Sequence, residues 1–411
     1  MNEGLINKAP RKLLFLFEIL SLSLIFLYSW EGIQTETYVI AVGLVLLIYF
    51  SNYLLGRISK GDNYIFLIVC MLVSIGIIMI YRISPDLGLK QLMWLTFGIA
   101  MFFAAYFAVR YISFWGRLTP IYLLASYALF ALTLIMGSRT HGAINWITIS
   151  GVSVQPAEIT KIVLVFLLAA FYGGDEKYRK IKNGEVYLMI VVYSFIGLLF
   201  LQRDLGTALI FFGVFTGLQY IYSQDRRLIW ANLGLATVGG IAGYLIFDHV
   251  RVRVTTWLNP WPHINDKGYQ ITQSLFAISE GGFFGTGLGR GNPSFIPLSY
   301  NDFIFSAISE EMGIFTGIGI IMLFMLLVYR GFKIALSQEN QFFRIVALGI
   351  SMIFGIQSFI IIGGVLKVIP LTGLTLPFVS YGGTSVVTSF IALGILQGAS
   401  EKRGRGGIGN E

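Results

Sequence analysis

The sequence has 411 residues, of which 56% are hydrophobic and only 12% are charged. Because soluble domains carry about 25% charged residues, this composition excludes an ordinary soluble domain and indicates a protein that lies in a membrane. The formal net charge of +8 does not indicate nucleic-acid binding, since the basic residues lie mostly in the connections between apolar segments and suit contact with anionic lipid head groups.

Twelve apolar segments are long enough to cross a hydrocarbon core as a helix, which takes roughly 17 to 25 residues. The sequence therefore predicts an all-α polytopic membrane protein with about twelve transmembrane helices and one long extracytoplasmic loop. Residues 1–61 are expected to form a tail and an uncleaved two-helix hairpin. The predicted spans lie near residues 13–30, 37–55, 64–81, 90–109, 118–136, 157–172, 186–201, 205–222, 229–246, 303–329, 342–363 and 380–399.

The basic residues predict the orientation of these spans. With a cytoplasmic N-terminus, nineteen Lys and Arg fall on the inner side, nine fall on the outer side, and Lys161 lies inside a span. This asymmetry is typical of the positive-inside pattern. We therefore expect a multi-pass protein of the cytoplasmic membrane with both termini cytoplasmic and with the long connection 247–301 facing outward.

Two helix starts near the predicted outer surface carry charged residues. Pro156 suits the first turn of the sixth span, which places Glu158 and Lys161 three residues apart on one face of that helix. Both a structural and a functional role are open for this pair, because ionisable groups inside membrane spans are rare and often functional. Asp204, two residues ahead of Gly206, is expected to cap the N-terminus of the eighth span.

The last third of the chain has further polar residues at unusual positions. The tenth span begins after Asp302 and carries Glu310 and Glu311, so Glu310 is expected about 12 Å below the outer surface at about 1.5 Å per residue. Residues 363–385 contain two prolines and five glycines and cannot form a regular membrane helix. Such backbone is tolerated at membrane depth only where it is buried or lines a wet cavity.

These polar residues predict a cavity that opens outward under the long connection, since all map to the outer half of the protein: Glu158, Lys161, Asp204, Asp266, Asp302, Glu310 and Lys367. No nucleotide pool exists outside a cell, so an activated sugar there must arrive on a membrane carrier such as a lipid diphosphate. Basic side chains could neutralise a diphosphate or extend toward head groups instead, and a carboxylate could accept a proton from a sugar hydroxyl. The candidate basic residues are Arg251, Arg253, Arg290 and Lys367.

Other motifs argue against alternative chemistries. GTGLGRG at residues 285–291 lacks the preceding strand of a dinucleotide site and is expected to form turns. Cys70 is the single cysteine, so no internal disulfide is expected, and the histidines do not have a metal-ligand spacing. No metal site or organic cofactor is predicted, although a divalent cation is left open.

Five blocks resemble the RodA/FtsW/SpoVE (SEDS) family of peptidoglycan polymerases: QPAEITK, DLGTA, GYQITQSLFAISEGGFFGTGLG, NDFIFSAISEEMG and PLTGLTLPFVSYGGTS. The resemblance implies a ten-helix core over residues 62–400, with the hairpin before it and a basic, glycine-rich tail at 401–411. It also implies a glycosyltransferase that polymerises lipid II in cell-wall synthesis for cell shape, division or sporulation, with a class B penicillin-binding protein as partner. Gln270 and Gln273, in the third block, become substrate-binding candidates.

The resemblance is imperfect in the loop that would hold the catalytic base. Members of the family usually have aspartate at the position of His263, and here the loop reads PHINDKGYQ. Asp266 could serve as the base through a shifted loop, His263 could itself be the base because its usual pKa is near 6.5, or the protein could be an inactive scaffold for its partner. Two further departures are Asn145, where arginine is usual, and Arg203, where proline or a small residue is common.

Two transport functions compete with the polymerase. Twelve spans with both termini inside also describe a secondary transporter of the major facilitator layout, but the long outer connection and the dissimilar halves argue against it. A flippase for the lipid-linked precursor would need polar groups along its whole path, whereas here they concentrate on one side.

Overall fold

The computed structural model describes residues 8–28, 35–140, 143–149, 152–174 and 183–401. Within these ranges the chain forms fourteen α-helices and one small antiparallel sheet. The helices are α1 (Lys8–Tyr28), α2 (Thr35–Ile58), α3 (Tyr64–Ile83), α4 (Pro85–Tyr111), α5 (Thr119–Met136), α6 (Pro156–Gly173), α7 (Gly184–Leu201), α8 (Leu205–Tyr222), α9 (Arg226–Ile246), α10 (Asp248–Leu258), α11 (Tyr269–Gly281), α12 (Ile304–Ser337), α13 (Gln341–Val365) and α14 (Gly383–Ala399).

Each of the twelve predicted spans coincides with one of these helices. Within the described ranges, ten helices are long and apolar enough to cross a membrane, from α2 to α9 and then α12 and α13. The other two predicted spans correspond to α1 and to the 17-residue α14. The prediction of an all-α polytopic membrane protein is confirmed. The two additional helices, α10 and α11, lie in the long connection, which the sequence predicted only as a loop.

The apolar helices pack around α3, α6, α13 and α14, whose side chains are mostly buried. Helix α14 lies along α4 at very short range. An added Cβ at Gly394 would lie 2.3 Å from the carbonyl oxygen of Phe102. Small residues permit such backbone approach, and close van der Waals packing is what holds helices together within lipid.

The N-terminal hairpin, α1 and α2, packs against α3 and α4 and joins the core through polar contacts at two levels. Ser74 Oγ donates a hydrogen bond of 2.7 Å to buried Glu18, and Asn52 Nδ2 lies 3.3 Å from Cys70 Sγ. Where α2 leads into α3, Ser59 Oγ donates to the Glu401 carboxylate, 3.1 Å away. Buried polar groups need such partners, so these contacts attach the hairpin at defined positions.

The sheet lies between α5 and α6, in a connection that the sequence did not predict to contain strands. It comprises β1 (Ser138–Thr140), β2 (Ala143–Ile149) and β3 (Val152–Val154), paired in the order β1-β2-β3. The backbone N–H of Ile144 donates to the carbonyl of Gln202, 2.9 Å away. This bond fixes β2 beside the turn between α7 and α8, at the same end of the bundle as residues 247–303, which is called the loop end.

Candidate active site

A cavity of about 520 Å³ lies at the loop end. Its wall is built from β2, the start of α6, the turn between α7 and α8, helices α10 and α11, and the irregular connection 364–375. Six residues proposed from the sequence line it: Glu158, Asp204, Arg253, Gln270, Asp302 and Lys367. Seven others do not, namely Lys161, Arg251, His263, Asp266, Gln273, Arg290 and Glu310.

Asp204 organises the side of the cavity formed by the turn between α7 and α8. Its Oδ1 accepts a hydrogen bond from the N–H of Thr207, 3.0 Å away, as an N-cap does. Its Oδ2 accepts from Gln155 Nε2 at 3.0 Å and from Asn145 Nδ2 at 3.4 Å. The predicted cap is confirmed, and the same carboxylate holds β2 and the start of α6 at the cavity wall.

Glu158 and Lys161 form a buried ion pair immediately behind this wall. Lys161 Nζ lies 2.9 Å from Glu158 Oε1 and donates a second hydrogen bond of 2.8 Å to Gln357 Oε1. The remaining oxygen of Glu158 accepts from Thr388 Oγ1 at 3.2 Å. Full pairing of both charges favours a structural role for Lys161, which does not reach the cavity, whereas Glu158 touches it.

Arg253 joins α10 to the irregular connection after α13. Its Nη1 donates to the carbonyl of Thr372 at 2.6 Å, and an added Cβ at Gly373 would lie 2.9 Å from its Nη2 and 3.5 Å from Asp302 Oδ2. Burial lowers the pKa of the guanidinium, while the charges of Asp302 and Asp204 oppose that shift. Arginine remains protonated in proteins, so a fixed cation stands in the cavity wall.

The connection 366–382 contains no regular helix, as its prolines and glycines predicted. Lys367 adopts a left-handed backbone conformation with φ of 60°, and its carbonyl accepts a hydrogen bond of 3.1 Å from Trp257 Nε1. Gln357 Nε2 donates to the carbonyl of Thr375 at 2.9 Å. Side chains from α10 and α13 thus satisfy backbone groups that a helix would have paired internally.

The two candidate bases lie in a turn beside the cavity. His263 Nδ1 is 3.9 Å from Asp266 Oδ1, and their side chains are 38% and 63% exposed. Lys267 and Gln270, which follow in the chain, line the cavity, so the turn lies at its rim. Gly268 is required there because a Cβ would come within 2.8 Å of two carbonyl oxygens.

Glu310 and Glu311 hold the glycine-rich turn at residues 285–291 instead of lining the cavity. Glu310 Oε1 accepts from the N–H of Asn292 at 2.7 Å, and Glu311 Oε2 accepts from the N–H of Gly289 at 2.8 Å. Arg82 Nε lies 3.3 Å from the other oxygen of Glu311. The predicted turns are confirmed, and the expectation that Glu310 faces a shared cavity is wrong, because its carboxylate is used on backbone N–H groups.

Arg251 also lies outside the cavity. It sits two residues before Arg253 on α10, and a separation of two residues turns side chains about 200° apart on a helix. Its Nη1 lies 3.5 Å from Asp248 Oδ1, where both side chains are largely exposed. The placement of Arg251 beside Arg253 at one site is therefore corrected by the geometry of the helix.

The cavity includes polar residues that were not proposed as site residues, among them Arg203, His249, Lys267 and Asn301. Burial, and then the positive charges of Arg253 and Arg203, lower the pKa of the His249 imidazole, whereas Asp248 raises it. Of these four residues, only Arg203 stood out in the sequence, because it departs from the family pattern. Within the described part of the chain, no three His, Cys, Asp or Glu side chains come together as a metal-binding group.

The chain is similar to known proteins along most of its length. Peptidoglycan glycosyltransferase RodA of Mycobacterium bovis is 34% identical over 357 residues, which cover 80% of this chain and 76% of that protein. Stage V sporulation protein E of Bacillus subtilis is 34% identical over 363 residues, covering 83% of this chain and 97% of that protein.

Solved structures show the same architecture. Rod shape determining protein RodA of Thermus thermophilus matches with a TM-score of 0.61 and 25% identity, over 83% of this chain and 97% of that chain. A chain from a structure described as the coordination of polymerization and crosslinking by a peptidoglycan synthase complex matches with a TM-score of 0.67 and 26% identity, over 82% and 97%. A family model described as cell cycle protein, FtsW/RodA/SpoVE, matches residues 62–404, and the chain therefore belongs to this family.

Proposed function

We propose that this protein is a peptidoglycan glycosyltransferase that polymerises lipid II at the outer face of the cytoplasmic membrane. The observation that carries the proposal is the cavity at the loop end, which joins fixed cations to carboxylates in a protein of this family. A glycosyl transfer from a lipid diphosphate needs both, because a negatively charged leaving group departs while a hydroxyl loses its proton.

The charges of the cavity suit a diphosphate. Four basic side chains line it: Arg203, Arg253, Lys267 and Lys367. Of its three acidic residues, Glu158 is paired with Lys161, so that Asp204 and Asp302 oppose the four basic side chains. Positive charge is thus in excess, and ionic hydrogen bonds to phosphate are stronger than neutral ones.

The wall also offers polar atoms that suit sugar hydroxyls. Among the described residues, Asn145 Oδ1, Asn301 Oδ1 and Thr372 Oγ1 are buried without a hydrogen-bond partner, and all three residues line the cavity. A buried polar atom left unpaired costs about 1–3 kcal/mol. A saccharide bound here would supply partners for these atoms.

In the reaction, the 4-hydroxyl of the acceptor N-acetylglucosamine attacks the anomeric carbon of the lipid-linked glycan. Asp266 accepts the hydroxyl proton, the new glycosidic bond forms, and undecaprenyl diphosphate leaves with its electron pair. Closure of the turn at the rim brings Asp266 to the acceptor, and the backbone N–H of Lys267, which donates to the Asp266 carboxylate, orients it. The partner protein is a class B penicillin-binding protein. The matched structure of a peptidoglycan synthase complex, which coordinates polymerization and crosslinking, supports this assignment.

The charge asymmetry of the connections supports an orientation in which the loop end lies outside. The ionisable side chains that line the cavity all lie at that end, which supports transfer at one surface over transport through the whole protein. A second candidate function, an inactive scaffold for the penicillin-binding protein, is favoured by one observation: neither His263 nor Asp266 lines the cavity.

The test is polymerisation of lipid II by the purified complex with its cognate penicillin-binding protein, with penicillin present to prevent crosslinking and with polymer resolved on gels. We expect polymer from the unaltered complex and from His263→Ala, and none from Asp266→Ala. The matched control is Glu280→Ala, which removes an exposed carboxylate of α11 outside the cavity.

The outcomes separate the alternatives. Polymer at the normal rate from Asp266→Ala would sink the assignment of the base, and loss of activity in His263→Ala alone would transfer that role to His263. If the unaltered complex made no polymer under conditions in which a related enzyme does, the scaffold would be the correct function.

A further inference from the structure

The turn between α7 and α8 carries an arginine in a backbone conformation that normally favours glycine. Arg203 follows the C-cap residue of α7 with φ of 62°, and the N–H of Asp204 bonds to the carbonyl of Leu199 at 2.9 Å. Helices often end with glycine at this position because other residues are strained there. An arginine therefore sits where the backbone alone would select glycine.

The side chain of Arg203 is held toward the cavity by an aromatic ring. Its guanidinium lies 5.7 Å from the ring centre of Phe247, at the junction of α9 and α10. His249 stacks on the same ring with the centroids 5.4 Å apart, and both Arg203 and His249 line the cavity. The ring orients the arginine without neutralising it.

The charge of Arg203 is less compensated than that of its neighbour Arg253. Arg253 donates to Thr372 and faces Asp302 and Asp204. Among the described ion pairs, by contrast, none includes Arg203. The Arg203 side chain is exposed, and a guanidinium with a planar fork of donors suits a phosphate group. Arg253, whose positive charge acts on His249 together with that of Arg203, is a second cation for the other phosphate of a diphosphate.

We propose that Arg203 contacts the diphosphate of the lipid-linked substrate, with His249 as a neighbouring hydrogen-bond donor. The identity of the lipid rests on the function proposed above. Within that function, Arg203 recognises the diphosphate. An arginine occupies this left-handed backbone position, where glycine would be less strained, because its side chain binds the substrate.

The experiment measures binding of undecaprenyl diphosphate and of undecaprenyl monophosphate to the purified complex, together with its thermal unfolding temperature. Arg203→Gly relieves the backbone conformation, so we expect the unfolding temperature to stay equal or to rise. Its affinity for the diphosphate lipid is expected to fall by at least about tenfold, with a smaller change for the monophosphate. Arg203→Lys, which keeps the charge but lacks the planar fork of donors, is expected to recover only part of the affinity.

The matched control is Arg226→Ala. Arg226 also lies over an aromatic ring, 4.8 Å from the centre of Tyr220, but at the opposite end of the bundle, and its loss should leave both affinities unchanged. Unchanged diphosphate binding in Arg203→Gly would overturn the proposal, and so would an equal loss for both lipids. Because binding is read without turnover, this result is independent of whether the complex polymerises lipid II.

Discussion

Lys161 Nζ lies 2.9 Å from Glu158 Oε1, and both side chains are about 95% buried within a helix that lines the cavity on one side. A buried pair of this kind gains Coulomb energy only because each charge has a partner. Lys161 was a substrate-binding candidate by sequence, yet its neighbours are Glu158 and Gln357. The pair is best understood as the support of the cavity wall.

Removal of one member of this pair should be far more harmful than removal of both. Glu158→Gln or Lys161→Met is expected to destabilise the protein by about 3–5 kcal/mol, since each leaves an uncompensated buried charge or hydrogen-bond donor. The double variant should recover much of that loss. Thermal unfolding of the purified proteins checks this, and single variants as stable as the unaltered protein would contradict the support role.

Arg251 and Arg253 should differ sharply although they are two residues apart. Arg253→Ala removes the donor to Thr372 and the cation between Asp302 and Asp204, so we expect polymerisation to fall by more than about tenfold. Arg251→Ala removes an exposed pair with Asp248 and is expected to change the rate by less than about twofold. If the polymerisation rate fell equally in both variants, Arg251 would belong to the site as well, and the distinction between the two arginines would be wrong.

Gly313 should tolerate no side chain. Its φ of 80° and ψ of 168° are open essentially only to glycine, and an added Cβ would lie 2.4 Å from the carbonyl oxygen of Phe283. Gly313→Ala is therefore expected to destabilise the protein by at least about 2–3 kcal/mol. Gly319→Ala is the control on the same helix, where an added Cβ meets no atom within 4 Å, and its effect should stay within about 1 kcal/mol.

His249 should make stability depend on pH. Its pKa is lowered in the folded protein, because burial, Arg253 and Arg203 together outweigh Asp248. As the pH falls below about 6.5, the unfolded chain binds a proton that the folded protein does not, so stability decreases until the folded pKa is passed. His249→Gln should remove this part of the dependence. The measurement is the unfolding temperature of the unaltered protein and of His249→Gln between pH 5 and 8. Parallel pH dependence of the two proteins would disprove the role of His249.

The parts of the fold that were predictable depend on local sequence. Continuous apolar runs predicted the membrane helices, and the spacing of Pro156, Glu158 and Lys161 predicted the pair that the structure contains. The cap at Asp204 likewise needs only the residues that follow it. Each of these features depends on residues that lie within a few helical turns of one another along the chain, and sequence patterns predict such short-range relationships well.

The remaining features depend on contacts between distant segments. Glu310 bonds to Asn292, and Glu311 pairs with Arg82, more than two hundred residues earlier in the chain, so neither partner could be inferred from helical periodicity. Arg203 and His249 meet only because the turn before α8 packs against the junction of α9 and α10. The strand β2 was missed because its short alternating pattern lies between much stronger apolar runs.

The break at Gly313 also determines how the protein fits the thickness of a bilayer. Helix α12 has 34 residues, and those after the break form a continuous helix of about 36 Å at 1.5 Å per residue. That length alone exceeds a hydrocarbon core of about 30 Å, so the part of α12 after Gly313 is long enough to span the core. Glu310 and Glu311 precede the break and therefore need not lie at the membrane depth expected from the sequence. Insertions or deletions after Gly313 would change the match to membrane thickness, whereas changes before it would alter the glycine-rich turn.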